Sequence, residues 1–336
     1  MSRKCFNGEV WTNVHPDIMA AMQRANEVDV DGKVGHDSFS QEAAALMQAA
    51  FDKPVTVTFT YNGTAANILA LKSMLRPWDS VLCGDCTHLN THEDGAIEHA
   101  TGCKVLTTPS DDGKLTPADV LQALDSYSHF SYKPRVLVLT QPTEYGVLYT
   151  NDELRALCDT AHANGMYVFV DGARLAHALE ALGTTMQAML GDTGVDAFTF
   201  GGTKAGLMFG EMVVFLRPEH GEAIQYSQKQ SLQHMDKSKF LGVQFAHLLR
   251  DEFWRETAGH ANRMAALLVD KLAARSIRPH YPADTNMVFI RVTPAQLDRI
   301  RTRFDLGWWD VSTGLIRIGM SHDTQPDMIE QLVELL

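Results

Sequence analysis

Two short stretches of the chain combine residue types that can do covalent chemistry. The first is Phe198-Thr199-Phe200-Gly201-Gly202-Thr203-Lys204-Ala205-Gly206, a strand-like run that ends in a glycine-rich turn holding a lysine. Glycines let backbone approach a ligand closely. A lysine whose pKa is lowered by burial or a neighbouring cation can form an imine with a carbonyl; a single loop lysine is more often an ordinary surface residue. The second is Val168-Phe169-Val170-Asp171-Gly172-Ala173-Arg174, where a hydrophobic strand ends in an acid. At the carboxyl edge of a parallel sheet, where ligands of such folds bind, Asp171 would set a carboxylate beside a bound ligand. Taken alone, it could equally cap the next helix. Arg174 could reach an anionic oxygen or sit in a surface ion pair. A strand-end acid followed by a strand-end lysine is more specific than either residue alone.

Two further stretches carry polar chemistry. In Tyr61-Asn62-Gly63-Thr64-Ala65-Ala66-Asn67, the backbone N–H groups at a helix start and the Thr64 hydroxyl would make an anion site suited to a phosphate. Ordinary capping explains the same residues. In Asp85-Cys86-Thr87-His88-Leu89-Asn90-Thr91-His92-Glu93, His88 could stack on a ring and carry protons. His92 and His99 read as helix-start histidines. The competing reading is a metal site, since Cys83-Gly84-Asp85-Cys86 precedes His88 and His92, but no second Cys/His pair with zinc spacing follows. The Gly-x-x-x-x-Gly-Lys-Ser/Thr spacing of a P-loop is absent, as is a Gly-x-Gly-x-x-Gly fingerprint after the first strand.

The elements that must position these residues follow a βαβ rhythm. Strands are expected over 55–59, 80–83, 104–107, 135–140, 167–171, 197–200 and 212–216. Helices fall between them, for example over 64–75 and over 151–164, with Asn151 as N-cap and Gly165 closing the end. Runs without polar alternation, such as Val136-Leu137-Val138-Leu139, suit a largely parallel sheet covered on both faces. After residue 216 the texture changes. Residues 220–275 read as mainly helical; strands over 286–291 and 315–319 with a helix over 294–303 suggest a small α+β unit. The expected organisation is an N-terminal segment (1–45) packing across both parts, a large domain (46–235) and a small C-terminal domain (236–336).

Composition narrows the function. The chain has 336 residues, 45% hydrophobic and 21% charged, enough for a sizeable core. Its formal net charge of −12 disfavours nucleic acid and anionic membranes as partners. No run approaches the roughly 18 apolar residues of a membrane span, and no apolar stretch follows the basic Met1-Ser2-Arg3-Lys4. Five cysteines (Cys5, Cys83, Cys86, Cys103 and Cys158) read as free thiols in a reducing, cytoplasmic compartment.

Together, Gly63-Thr64-x-x-Asn67, His88 with Gly95-Ala96, Asp171-Gly172-Ala173-Arg174, Lys204, Thr285-Asn286-Met287-Val288 and Ile316-Arg317 stand in an order that resembles one family. It is the aldolase and β-eliminating-lyase group of fold type I pyridoxal-phosphate (PLP) enzymes, and within it the low-specificity L-threonine aldolases. The resemblance runs over nearly the whole chain. It implies an α/β fold with a mostly parallel seven-stranded sheet plus a small α+β C-terminal domain, and a homodimer or homotetramer. It further implies that Lys204 carries PLP as a Schiff base, that Asp171 pairs with the pyridine nitrogen and that His88 stacks on the ring. Gly63 and Thr64 would bind phosphate, Arg174 the phenolic oxygen or the substrate, and Arg317 the substrate carboxylate through its planar fork.

The implied reaction is retro-aldol cleavage of a β-hydroxy-α-amino acid to glycine and an aldehyde. His88, or a water it positions, would be the base, with Glu144 and His36 as second choices. β-Elimination or another α-carbon reaction is the alternative enzyme, and non-catalytic PLP or metal binding the alternative class. Several positions depart from the family. Gly8-Glu9-Val10 stands for Ser-Asp-Thr, Val34-Gly35-His36-Asp37-Ser38 for Tyr-Gly-Glu/Asp-Asp-Pro, and Gln141-Pro142-Thr143-Glu144-Tyr145-Gly146 for Glu-Asn-Thr-His-Asn. Thr203 replaces the serine before the lysine. The arginine that the family carries after the lysine loop to hold phosphate is not evident; Lys229, Gln230 or Lys239 would have to substitute. These changes touch substrate recognition more than cofactor chemistry.

Overall fold

The run Val136-Leu137-Val138-Leu139 sends alternate side chains into two separate cores. Leu137 and Leu139 join one large cluster, and Val136 and Val138 join a second on the opposite sheet face. That is what an unalternated hydrophobic strand requires. The computed structural model describes residues 4–29, 32, 35–126 and 133–336. Val34 lies outside the described residues, as do the first three residues of the basic start.

The described strands, in chain order, are β1 (Lys4–Cys5), β2 (Thr56–Thr60), β3 (Ser80–Gly84), β4 (Lys104–Thr108), β5 (Pro134–Thr140) and β6 (Tyr167–Asp171). They continue with β7 (Ala197–Gly201), β8 (Glu211–Phe215), β9 (Met287–Arg291), β10 (Phe304–Asp305) and β11 (Leu315–Gly319). Seven form one sheet in the order β2-β8-β7-β6-β5-β3-β4. Only β8 runs antiparallel to its neighbours, β2 and β7; the remaining pairs are parallel. The fold is therefore α/β with a mostly parallel sheet. Strand limits differ from the sequence reading by a residue or two, where the ladder continues into polar or glycine positions such as Gly84 and Gly201.

Two glycines set how closely the tips of β6 and β7 approach. A Cβ on Gly172 would collide with the Thr199 carbonyl, and one on Gly201 with the Ala173 carbonyl. With hydrogen there instead, the tips are stitched by Gly201 N to Gly172 O (3.0 Å) and Gly172 N to Thr199 Oγ1 (2.8 Å). The antiparallel β8 places Glu211 opposite Gly201, at the same edge.

The helix expected over 151–164 spans Asn151–Ala163, and its N-cap is Thr150 rather than Asn151. Thr150 Oγ1 accepts from Glu153 N (3.2 Å) while the Glu153 carboxylate accepts from Thr150 N (2.7 Å). This reciprocal pairing outcompetes a one-sided cap. Gly165 adopts φ 74° just past the end, as a left-handed closing residue does.

A third core is built from Phe6, the later part of helix Phe253–Ala273, β9, β11 and helix Pro326–Glu334. β9 and β11 pair antiparallel, and β1 pairs parallel with β10. The N-terminal residues contribute to more than one core: Phe6 lies in this one, whereas Ile18, Ala43 and Met47 lie in the large sheet-covering core. Among the described residues, no helix is long and apolar enough to cross a membrane.

Candidate active site

The turn after β7 is held rigidly. Gly202 N and Thr203 N both donate to Gly210 O (3.2 Å each), Gly210 N donates to Thr203 Oγ1 (3.0 Å), and Gly202 N also reaches Glu211 Oε2 (3.1 Å). Burial pushes the Glu211 carboxyl up to about 7. Lys204 follows in the short helical turn Thr203–Ala205. Removal from water lowers its amine, and the nearby Arg174 guanidinium adds to the effect. An amine with a lowered pKa keeps more of its neutral, nucleophilic form.

Asp171, on the neighbouring tip, is buried and fixed at both oxygens. Oδ1 accepts from Ala173 N (3.0 Å) and Oδ2 from Asn67 Nδ2 (3.0 Å). Asn67 projects from helix Gly63–Met74, whose Asn62 cap accepts from Ala65 N (2.9 Å). The same Asn67 Nδ2 donates to Glu93 Oε1 (2.8 Å), and Glu93 Oε1 also meets His88 Nδ1 (2.8 Å). That bond to Glu93 raises the pKa of His88 against the opposing effect of burial. His88 starts the short helix His88–Thr91 and stacks at 5.5 Å on His92, which in turn stacks at 6.0 Å on Trp309.

Glu9 enters from the N-terminal segment. Arg174 Nε donates to its Oε1 (2.6 Å) and Arg174 Nη2 to its Oε2 (2.8 Å); Asn286 Nδ2 also reaches Oε1 (2.5 Å). Burial alone would raise the Glu9 carboxyl, but the Arg174 guanidinium overrules it and holds the group far below the carboxylate range. Arg317, on β11, donates Nη2 to the Asn7 carbonyl (2.8 Å) and lies 4.6 Å over the Trp309 ring. Burial and the like charge of Arg174 bring Arg317 down to about 10, so it stays cationic at neutral pH.

Glu9, His88, Glu144, Arg174, Lys204 and Arg317 surround one cavity of about 160 Å³, with His92 and Trp309 completing its wall. Five sequence-predicted residues therefore converge: Lys204, His88, Arg174, Glu144 and Arg317. Asp171 stands behind the wall, joined to His88 through Asn67 and Glu93. Gly63 and Thr64 begin the helix that carries Asn67, and a Cβ on Gly63 would meet nothing. His36 is not at this cavity. It is exposed just before helix Ser38–Ala49, its carbonyl accepting from Gln41 Nε2 (2.8 Å), because Asp37 turns the chain there by capping that helix. Lys239 bonds the Val28 carbonyl (2.8 Å) and Gln230 bonds Lys72 (3.4 Å), so both are engaged away from Gly63.

Sequence reasoning passed over Glu93, Trp309 and the site role of His92, and read Glu9 only as a departure. The signal for Glu93 was its place in the same polar loop as His88. Nothing local marks Trp309, whose partners come from distant segments.

The profile of the family described as Beta-eliminating lyase matches residues 10–295. The chain is 34% identical to a low specificity L-threonine aldolase from Pseudomonas sp., over 97% of this chain and 95% of that protein. A threonine aldolase structure from Leishmania major superposes with a TM-score of 0.93 at 33% identity, covering 99% of this chain and 98% of that one. An alanine–glyoxylate aminotransferase from Nostoc sp. superposes with a TM-score of 0.73 at 16% identity, covering 100% of this chain and 94% of that one, a likeness of fold alone.

Proposed function

The chain belongs to the β-eliminating lyase family, and from that premise we propose that it is a PLP-dependent aldehyde-lyase cleaving threonine-type β-hydroxy-α-amino acids to glycine and an aldehyde. The observation that carries this reading is the convergence of the Lys204 amine and the Arg317 guanidinium on one cavity, with Asp171 directly behind its wall.

The residues present fit the cofactor. A lysine with a lowered pKa can hold an aldehyde covalently, and Asp171, with one donor on each oxygen, keeps lone pairs for a ring nitrogen. Gly63 and Thr64 offer the start of a twelve-residue helix to a phosphate, with open space where a side chain would stand. When bound, PLP supplies a protonated ring that accepts the electron pair freed at the substrate α-carbon.

The chain's own groups do the rest. Glu9 occupies Arg174 through two of its nitrogens, which leaves Arg317 as the guanidinium open to the substrate carboxylate. Holding that carboxylate fixes which bond at the α-carbon stands perpendicular to the ring. His88 sits at the cavity wall with Nδ1 engaged, so Nε2 is its nitrogen available to take the β-hydroxyl proton. Glu144, whose carboxylate lines the same space, is the second candidate. His92 and Trp309 flank the side where the substrate side chain would lie, a wall that suits apolar or aromatic β-substituents.

We read the protein as a homodimer or homotetramer in a reducing, cytoplasmic setting. The family resemblance supports the assembly, and five free cysteines support the compartment. The test of function is product analysis on PLP-loaded protein with L-threonine, L-allo-threonine and phenylserine. Glycine and an aldehyde are expected; a 2-oxo acid with ammonia would assign β-elimination instead. Borohydride should fix the cofactor on Lys204, and label on another lysine would overturn the assignment.

A further inference from the structure

The acid meant for the ring nitrogen and the imidazole at the cavity wall are joined by an unbroken hydrogen-bonded chain. Asp171 Oδ2 accepts from Asn67 Nδ2 (3.0 Å), the same nitrogen donates to Glu93 Oε1 (2.8 Å), and that oxygen meets His88 Nδ1 (2.8 Å). Asp171, Asn67 and Glu93 are all buried. The amide orientation is dictated by its neighbours, because turning it over would set Oδ1 against two carboxylates. Both protons of one amide nitrogen are thereby committed, one to each acid. Glu93, an acceptor when ionised, compels Nδ1 of His88 to carry its proton.

From this geometry we propose that Asn67 and Glu93 are positioning residues that lock the His88 proton on Nδ1, free Nε2 for the cavity, and transmit the charge of Asp171 to that imidazole. Two acceptors that draw on one amide nitrogen weaken each other's bonds. When the charge on Asp171 is balanced, as it is beside a protonated ring nitrogen, Asn67 donates more strongly to Glu93. Glu93 then holds the His88 proton less tightly. Occupation of the ring site thus tunes the imidazole at the cavity wall.

His88 is faced by Glu93 from its own loop, Asp171 from the end of β6, Glu144 from the loop after β5, and the stacked His92 ring. Arg174, Lys204 and Arg317 line the rest of the cavity. Of these groups, Glu93 is the one hydrogen-bonded to the imidazole among the described residues.

The catalytic consequence rests on the lyase reading, whereas the linkage itself does not, so the two can fail separately. The test is a ¹H–¹⁵N titration of the histidines in the full chain, with and without bound PLP, assigning His88 by its absence in His88→Asn. Glu93→Gln, which keeps an acceptor but removes the charge, should lower the His88 pKa, and Glu93→Ala should abolish the preference for Nδ1–H; titrations identical to wild type in both overturn the positioning role. Asp171→Asn should also lower it, and by clearly less when combined with Asn67→Ala. Equal shifts in both backgrounds mean that the charge acts through space, and the relay is wrong. If Asn67→Ala does not fold, Asn67→Ser cuts the same bridge while keeping a polar side chain. In turnover, Glu93→Gln should lower kcat about tenfold to a hundredfold with KM little changed, and Glu93→Asp should recover part of that loss.

Discussion

Glu9 and Arg174, far apart in sequence, meet as a two-pronged ion pair at 2.6 and 2.8 Å inside the protein. Breaking a buried pair by removing one partner strands the other charge, at a cost of about 3–5 kcal/mol. Glu9→Ala should therefore lower the urea-unfolding free energy by about that amount, whereas removal of an exposed acid such as Asp152 should change it little. The pH dependence has a definite sign. The folded-state value of Glu9 lies below its ordinary 4.5, so its stabilisation is complete above that pH and is lost as the pH falls below it. Acid unfolding of wild type should steepen below about 4.5, and Glu9→Gln should remove that part of the slope.

Arg317→Ala should raise KM for the amino acid strongly, with kcat/KM falling about a hundredfold or more, because a charge-assisted fork is lost. Arg317→Lys should recover only part, since an ammonium lacks the planar pair of donors. Steady-state kinetics with L-threonine read both variants. An unchanged KM in Arg317→Ala would move the carboxylate site elsewhere, with Arg174 as the remaining candidate.

His88 titrates above its ordinary 6.5 because Glu93 holds its proton. If Nε2 takes the hydroxyl proton, the deprotonated ring is the active form. Wild-type kcat should then rise with pH through a value above 6.5. His88→Asn should flatten that limb and lower kcat about a hundredfold to a thousandfold. A limb that survives in His88→Asn and disappears in Glu144→Gln would assign the base to Glu144.

Gly201→Ala should be far more damaging than its size suggests. The added methyl meets the Ala173 carbonyl and forces the tips of β6 and β7 apart. Overpacking of this kind costs about 1–3 kcal/mol. Because the two tips carry Asp171 and the Lys204 turn, PLP affinity should fall with stability, as spectroscopic titration and thermal unfolding would read. Gly165→Ala, where a Cβ meets nothing, should show the stability cost of its positive φ without loss of cofactor.

What was legible in the chain was what short-range pattern encodes. Unalternated β-rich runs placed the strands, and a turn of glycines around Lys204 marked a backbone that something approaches closely. The acid closing Tyr167–Asp171 fell beside it because consecutive parallel strands neighbour each other. Thr150 was missed as a cap because a capping box needs two residues read together, and Asn151 is itself a good cap former. His36 was included by analogy of position, whereas the cap made by Asp37 leaves it in solvent. Glu9, Trp309 and Asn286 could not be read locally, since their partners come from other elements of the fold. Glu93 was within reach, but a carboxylate close to a histidine is ordinary until the fold supplies Asn67 between it and Asp171.

The first strand is sewn to the end of the chain: Phe6 N binds Asp305 O (3.0 Å) and Gly319 N binds Phe6 O (2.9 Å), just before Glu9. Glu9 therefore travels with β11 and its Arg317, while Arg174 travels with β6. Their ion pair ties the end of β6 to β11 across the cavity. Parting β6 from β11 would have to break it.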